Sequence, residues 1–174
     1  ASHPERSMQT LHHDKSVKIL DAACGSGCIG ISLACELPGS EVFMCDISKD
    51  ALEVSTINIS GIWREKNISH EKIGKNITSF GTKTSGLNSV VPRLFYGDLL
   101  AGPQSQTLIG HASLDVLISN PPYIRESERA LMHNNVLDYE PSLALFVPDN
   151  NPLIFYEALA NWGVKLLRPG GLLF

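Results

Sequence analysis

The sequence predicts an α/β protein: a doubly wound, mostly parallel sheet with helices on both faces. Three observations predict it. Short apolar or β-branched runs, "SVKILDA", "EVFMCD", "RLFYGD" and "LDVLIS", alternate with stretches of helical spacing. Glycines, acids or prolines stand directly after those runs, and in parallel sheets ligands sit beyond the carboxyl ends of strands. The 174 residues suit one domain with one sizeable core.

Taken in order, Ser16 to Ala22 reads as a strand running into "ACGSGCIG", a turn signal followed by a helix to about Leu37. Pro38 and Gly39 stop that helix, Glu41 to Asp46 forms the second strand, and Ser48 is suited to cap a helix from Lys49. Residues 67–92 are polar, rich in Gly, Ser and Thr, and longer than an ordinary connection, so a flexible insertion is expected there. Arg93 to Asp98 and Leu114 to Ser119 supply the third and fourth strands, and a helix is expected over Pro152 to Leu167. "RPGG" then punctuates a fifth strand, "LLF", and the strands that would cover its edge are expected to lie outside this sequence. Residues 1–174 are read as one partial catalytic domain.

A net charge of −4 gives no general attraction for nucleic acid or an anionic membrane. No apolar run approaches the roughly 20 residues of a membrane span. "ASHPERSMQTLHHDKS" lacks a secretory apolar stretch and does not read as a transit peptide. An intracellular protein, cytoplasmic or mitochondrial, is expected. Cys24, Cys28, Cys35 and Cys45 form no C-x-x-C pair and are expected to be buried reduced thiols rather than metal ligands. The sequons at Asn58, Asn67 and Asn76 are expected to be coincidental without an export signal.

The chemistry-bearing residues gather at strand ends. In "DAACGSG", Asp21 ends the first strand, and Gly25 and Gly27 let the backbone turn sharply before a helix whose first N–H groups are unpaired. Gly30 completes a formal G-x-G-x-x-G, so a dinucleotide-binding dehydrogenase is one reading. Asp46 stands where a carboxylate accepts from ribose hydroxyls, although a turn or cap role suits it equally. Asp98 is placed to accept from an exocyclic adenine amine. In "SNPPYI", Pro121 and Pro122 make a stiff corner with carbonyl acceptors and no amide donors, which suits a ligand rich in N–H; its plainer reading is a rigid surface turn.

In this order, "LDAACGSGCIGISLA", "DIS" with the following "AL", "GDLL", "SNPPYI" and "DYEPSLAL" resemble the class I S-adenosylmethionine-dependent methyltransferases, a Rossmann-like group. More narrowly they look like the protein glutamine methyltransferases that modify the Gly-Gly-Gln loop of translation release factors. The similarity runs from about Val17 to the last residue, with the 67–92 insertion unaligned. "NPPY" alone is shared with adenine amino-methyltransferases, whereas "NPPYI" followed by "YEP" is more particular to the glutamine group.

The resemblance implies S-adenosylmethionine as cofactor, held by Asp21, Cys24, Gly25, Gly27, Asp46, Ile47, Asp98, Leu99 and Asn120, with no metal. It implies that the Asn120 side-chain oxygen and the Pro121 carbonyl accept the two hydrogens of the substrate amide. Pro122 would stiffen the corner and Tyr123 would wall the planar amide. An amide nitrogen is a poor nucleophile, so rate must come from holding it in line with the sulfonium methyl. Glu140 is expected either to support the active-site loop from behind or to be a solvated acid. The partner implied is a release factor as protein substrate, acted on by a monomer, with neither membrane nor nucleic acid bound.

The chain departs from the family at Ala23 and Cys24, before the glycines, and after "YEP", where "LFVPDNNPLIFYEAL" replaces a glycine-rich segment. The helical domain that commonly precedes the catalytic one is not in this sequence. The alternative functions are adenine amino-methylation on nucleic acid and a noncatalytic S-adenosylmethionine-binding module.

Overall fold

The computed structural model describes residues 16–65, 91–105 and 108–174. Five strands make one parallel sheet: β1 (Lys18–Ala22), β2 (Glu41–Asp46), β3 (Arg93–Tyr96), β4 (Leu114–Ser119) and β7 (Leu167–Leu173). A separate two-stranded parallel pair joins β5 (Ile124–Arg125) to β6 (Phe146–Val147). The helices that cover the large sheet are α1 (Cys28–Glu36), α2 (Lys49–Glu65) and α3 (Ile154–Leu166).

Successive strand residues bury on opposite faces, which is why these runs read as continuously apolar. Ile19, Met44 and Leu94 pack with Ile31, Ile59 and Trp63 from α1 and α2. Leu20, Phe43, Phe95 and Leu117 pack on the other face with Leu159, Trp162 and Leu166 of α3. The sheet is therefore covered on both sides, as a doubly wound sheet requires. Its order is β3-β2-β1-β4-β7, so the chain winds outward from β1 through β2 to β3 and then returns to β1's other side. The strand order reverses between β1 and β4, the place where such sheets open a crevice.

Several local expectations hold. Ser48 accepts from the Ala51 amide at 3.2 Å and caps α2. The first helix ends at Glu36, with Leu37 bonded back to the Leu33 carbonyl before Pro38 and Gly39.

The fifth strand differs: β7 begins at Leu167, and "RPGG" lies inside it as an irregularity. The pairing jumps from Leu114 opposite Leu167 to Val116 opposite Leu172. Pro169 has no N–H for a ladder bond, and Gly170 takes a positive φ of 80°, so the strand bulges there and resumes.

The segment between β5 and β6 was not legible as structure. It holds a 3₁₀ turn (Glu126–Leu131) and two short helices (Asn134–Tyr139 and Ser142–Leu145), in none of which is a residue buried. Without a buried face there is no apolar period to read. The expected insertion lies outside the described residues except for its end, where Val91 and Pro92 are buried and lead directly into β3.

At the amino-terminal edge of the sheet, one Asp115 carboxylate oxygen accepts from the Lys18 amide at 2.7 Å and the other pairs with the Arg168 guanidinium. Asp115 thus joins β1, β4 and β7. Asp115→Ala should lower stability by about 1–3 kcal/mol, because it leaves a backbone donor and a cation without their acceptor. The shift in urea unfolding midpoint, compared with Asp115→Asn, measures it.

Candidate functional site

Register decides what meets at the carboxyl edge. Ala22 lies opposite Cys45 on one side and Ser119 on the other, and Asp46 lies opposite Tyr96. Ala23, Asp46, Gly97 and Asn120 therefore mark the places where four neighbouring strands end.

After β1 the chain makes a tight loop with positive φ at Ala23 (54°), Gly25 (55°) and Gly27 (84°). Cys24 donates its amide to the Cys45 carbonyl at 3.0 Å, and Gly25 donates to the Asp46 carboxylate at 2.8 Å. From α2, the buried Ser55 hydroxyl donates to the Gly25 carbonyl at 2.8 Å, and the Asn58 amide donates to the Ser26 carbonyl at 2.9 Å. The loop is thus fixed from two sides before any ligand arrives.

The glycines divide by task. A Cβ on Gly30 would lie 2.6 Å from Met44 Cγ and 3.0 Å from an Asp21 carboxylate oxygen, so this glycine allows α1 to sit on the sheet. Gly27 is similarly closed in by Met44, Ile31 and Ser55. Around Gly25 nothing lies within 4 Å of that position, leaving open space on the crevice side. The formal G-x-G-x-x-G is met here by one glycine beside open space and two at packing contacts.

Asp21 is fully buried. One carboxylate oxygen accepts from the Gly30 amide at 2.8 Å, and the other, also buried, has no partner among the described residues. Burial above all, opposed by the Gly30 bond and aided by the Asp46 charge, pushes its pKa up to about 7. Burial likewise raises the Cys24 and Cys45 thiols, so neither is a thiolate near neutrality.

Asp46 accepts from Gly25 with one oxygen and from the Ser48 amide, at 2.8 Å, with the other. Each oxygen keeps a further lone pair. The turn-forming and ligand-accepting readings of Asp46 are therefore compatible. Ile47 beside it is exposed. The Asp46 carbonyl accepts from Gly97 at 3.0 Å, tying the β3 end to β2.

Asp98 accepts from the Leu100 amide at 2.8 Å, closing a small turn around the buried Leu99. The Leu99 carbonyl takes a 3.0 Å bond from the indole of Trp162, buried in α3.

At the β4 end, the Ser119 hydroxyl donates to the Ala22 carbonyl at 2.6 Å, joining the proline corner to the start of the glycine loop. Asn120 and Tyr123 are exposed, whereas Pro121 and Pro122 are buried. Glu140 caps the Asn134–Tyr139 helix and is exposed on the excursion beyond the corner.

The sheet thus gathers Asp21, Cys24, Gly25, Gly27, Asp46, Asp98 and Asn120 at one edge. Ser55, Asn58, Ser119 and Trp162 escaped sequence reasoning. A polar residue inside a helix gives no local sign that it reaches a loop some thirty residues away in the chain. The expected burial of all four cysteines needs correction. Cys24 and Cys45 are buried, Cys35 is half-buried, and Cys28 is exposed, because it opens α1 at its solvent-facing end. Among the described residues no group of three His, Cys, Asp or Glu side chains is placed to hold a metal ion. Among them, too, no helix is long and apolar enough to cross a membrane.

Several known proteins are similar to this chain. The family model described as "Methyltransferase small domain" matches residues 7–91. A release factor glutamine methyltransferase of Bacteroides thetaiotaomicron is 39% identical over 157 residues, covering 90% of this chain and 46% of the relative. One from Flavobacterium psychrophilum is 38% identical over 160 residues, covering 92% of this chain and 45% of the relative. The chain spans about half the length of these curated relatives. A crystal structure of a putative S-adenosyl-L-methionine-dependent methyltransferase from Methanococcus maripaludis superposes with a TM-score of 0.46 at 14% identity, covering 91% of this chain and 47% of that one. The fold assignment rests on the strand order itself.

In class, this is a Rossmann-like chain, a doubly wound parallel sheet in the order β3-β2-β1-β4-β7. More narrowly, it resembles the release factor glutamine methyltransferases, and the resemblance runs through nine-tenths of its length.

Asp21 makes stability depend on pH in a defined sense. Its folded pKa lies above its unfolded value, so the folded state retains a proton that the unfolded state releases. The contribution of this group to stability is greatest below about pH 4, falls as pH rises, and levels off above its folded pKa of about 7. Asp21→Asn should remove this part of the decline, read as a flatter dependence of the unfolding midpoint between those limits.

Proposed function

We propose that this chain is the catalytic part of an S-adenosylmethionine-dependent protein-(glutamine) N-methyltransferase whose substrate is the Gly-Gly-Gln loop of a peptide chain release factor. The observation that carries the reading is the register that sets the Asn120–Pro121 corner beside the Gly25 loop, tied by Ser119 to Ala22. The names of the relatives support the substrate.

The residues present fit the cofactor. Its ammonium group suits the partnerless oxygen of Asp21, its ribose hydroxyls suit the spare lone pairs of Asp46, and its exocyclic amine suits Asp98. Leu99 and Ile47 supply apolar surface next to those acids, and Gly25 leaves space where a side chain would intrude. Cys24, its side chain buried and protonated, adds bulk without charge. The cofactor, when bound, supplies an electrophilic methyl group on a sulfonium.

The remaining work belongs to the corner. The glutamine amide has two N–H donors, and the Asn120 side-chain oxygen and the Pro121 carbonyl are acceptors next to each other in the chain. Holding both hydrogens fixes the rotation of the nitrogen and stabilises the positive charge it acquires as the methyl arrives. Pro122 limits backbone freedom, and the exposed Tyr123 ring offers a flat face to the planar amide. A strong general base is unnecessary, because the nitrogen becomes acidic once alkylated.

Adenine amino-methylation is disfavoured by the net charge of −4 and by the "YEP" that follows "NPPYI". The reading takes the working unit as an intracellular monomer that binds neither membrane nor nucleic acid.

Incubating the full-length protein with S-adenosylmethionine and a release factor should add a single methyl mass to the glutamine of its Gly-Gly-Gln loop. Asn120→Ala should slow that transfer by about 10²–10³-fold, the scale on which loss of one preorganised hydrogen-bonding group at a developing charge acts in oxyanion holes. Transfer at the original rate by Asn120→Ala would overturn the mechanism, and binding of cofactor with no transfer to any glutamine would support a noncatalytic module.

A further inference from the structure

The prolines that define the corner also deprive it of a means of holding itself in place. Pro121 and Pro122 have no N–H, so this stretch makes no ladder bond of its own through them, and its orientation must be set at its two ends. The upstream end is held by Ser119, whose hydroxyl reaches the Ala22 carbonyl and whose amide donates to the Phe174 carbonyl at 3.1 Å.

The downstream end is held by a distinct device. Ile124 and Arg125 pair with Phe146 and Val147, both buried. Immediately beyond that pair, one Asp149 carboxylate oxygen accepts from both the amide of Ser127, at 3.1 Å, and its hydroxyl, at 2.6 Å. Arg129 stacks 3.8 Å over the Phe146 ring and is itself held by the Glu126 carboxylate at 3.1 Å. These contacts close the neck of an excursion that leaves the corner at Ile124 and returns at Val147.

We propose that Ser127 and Asp149 form a latch that sets the geometry of the Asn120–Tyr123 corner, making them positioning residues for amide methylation without contact to substrate or cofactor. The inference rests on the function proposed above. Two hydrogen bonds to one oxygen draw Ser127 onto the β6 side, which fixes the direction in which the chain leaves Tyr123. Among the described cofactor-loop contacts of Asp21, Gly25, Asp46 and Ser55, none involves the latch. Loosening it should therefore disturb the corner and spare cofactor binding.

The Ser127 bonds hold the Asp149 carboxyl below its ordinary range. The latch is therefore at full strength at neutral pH and weakens, without being abolished, as pH falls through that lowered value.

The test compares Asp149→Ala, Asp149→Asn and Ser127→Ala in the full-length protein, with a release factor as substrate. Asp149→Ala should lower kcat by about tenfold to a hundredfold, the scale expected for displacing a reacting group by an ångström, with the Kd for S-adenosylmethionine unchanged. Asp149→Asn keeps an acceptor oxygen and should recover most of the loss, and Ser127→Ala, which keeps the amide bond, should fall between. Amide exchange at Ser127 should quicken in Asp149→Ala. A kcat within about twofold of the parent in Asp149→Ala, with cofactor binding intact, would overturn the latch, since a misplaced corner must slow the chemical step. Equal loss of cofactor binding and kcat would also overturn it, by showing general unfolding rather than positioning. Failure of the parent enzyme to methylate glutamine would instead sink the functional proposal, so the two failures are distinguishable.

Discussion

Parallel pairing of β1 with both β2 and β4 is the constraint on which the rest of this molecule depends. Parallel strands all finish at the same edge, and an in-register ladder makes them finish at the same height. That is how residues about a hundred positions apart in the chain, Asp21 and Asn120, come to lie at one edge of the sheet. The sequence needs no long-range code for the site beyond apolar runs of the right length. Where the crevice lies follows from strand order, because the chain turns back across β1 and leaves a gap between crossovers on opposite faces.

Within that frame the site is organised mainly by backbone donors meeting carboxylates. Asp46 collects amides from the glycine loop and from its own turn, and Asp21 reaches α1 through Gly30. Each acid therefore has a structural bond and unused acceptor capacity. Such a site is largely formed before a ligand enters, which reduces the ordering cost of binding. The second oxygen of Asp21, without a partner among the described residues, is the conspicuous imbalance, since a buried acceptor without a donor costs free energy.

Strands β1, β2 and β4 were legible because burial on both faces makes the whole run apolar, and α3 because its buried residues recur at helical spacing. The glycine loop, Asp46 and the proline corner were legible because glycine, aspartate and proline mark where strands end, and here they do so after successive strands. What escaped was of two kinds. Ser55, Asn58 and Trp162 act through single long-range hydrogen bonds from within helices, and a side chain's reach across space leaves no periodicity behind. The short elements between β5 and β6 bury nothing, so no apolar pattern marks them. The "RPGG" segment was read as a strand boundary because proline and glycine usually are one, but at a sheet edge the same residues accommodate a bulge.

The stapled neck of the excursion has an evolutionary corollary. Because Ile124–Arg125 and Phe146–Val147 fix both ends of the stretch between them, its outer part can lengthen or shorten without transmitting the change to the corner. Closing a loop of twice the length costs only about 0.6 kcal/mol more. Insertions beyond Leu131 should thus be nearly neutral for folding, leaving that outer surface free to vary in length while the corner at its root keeps its place.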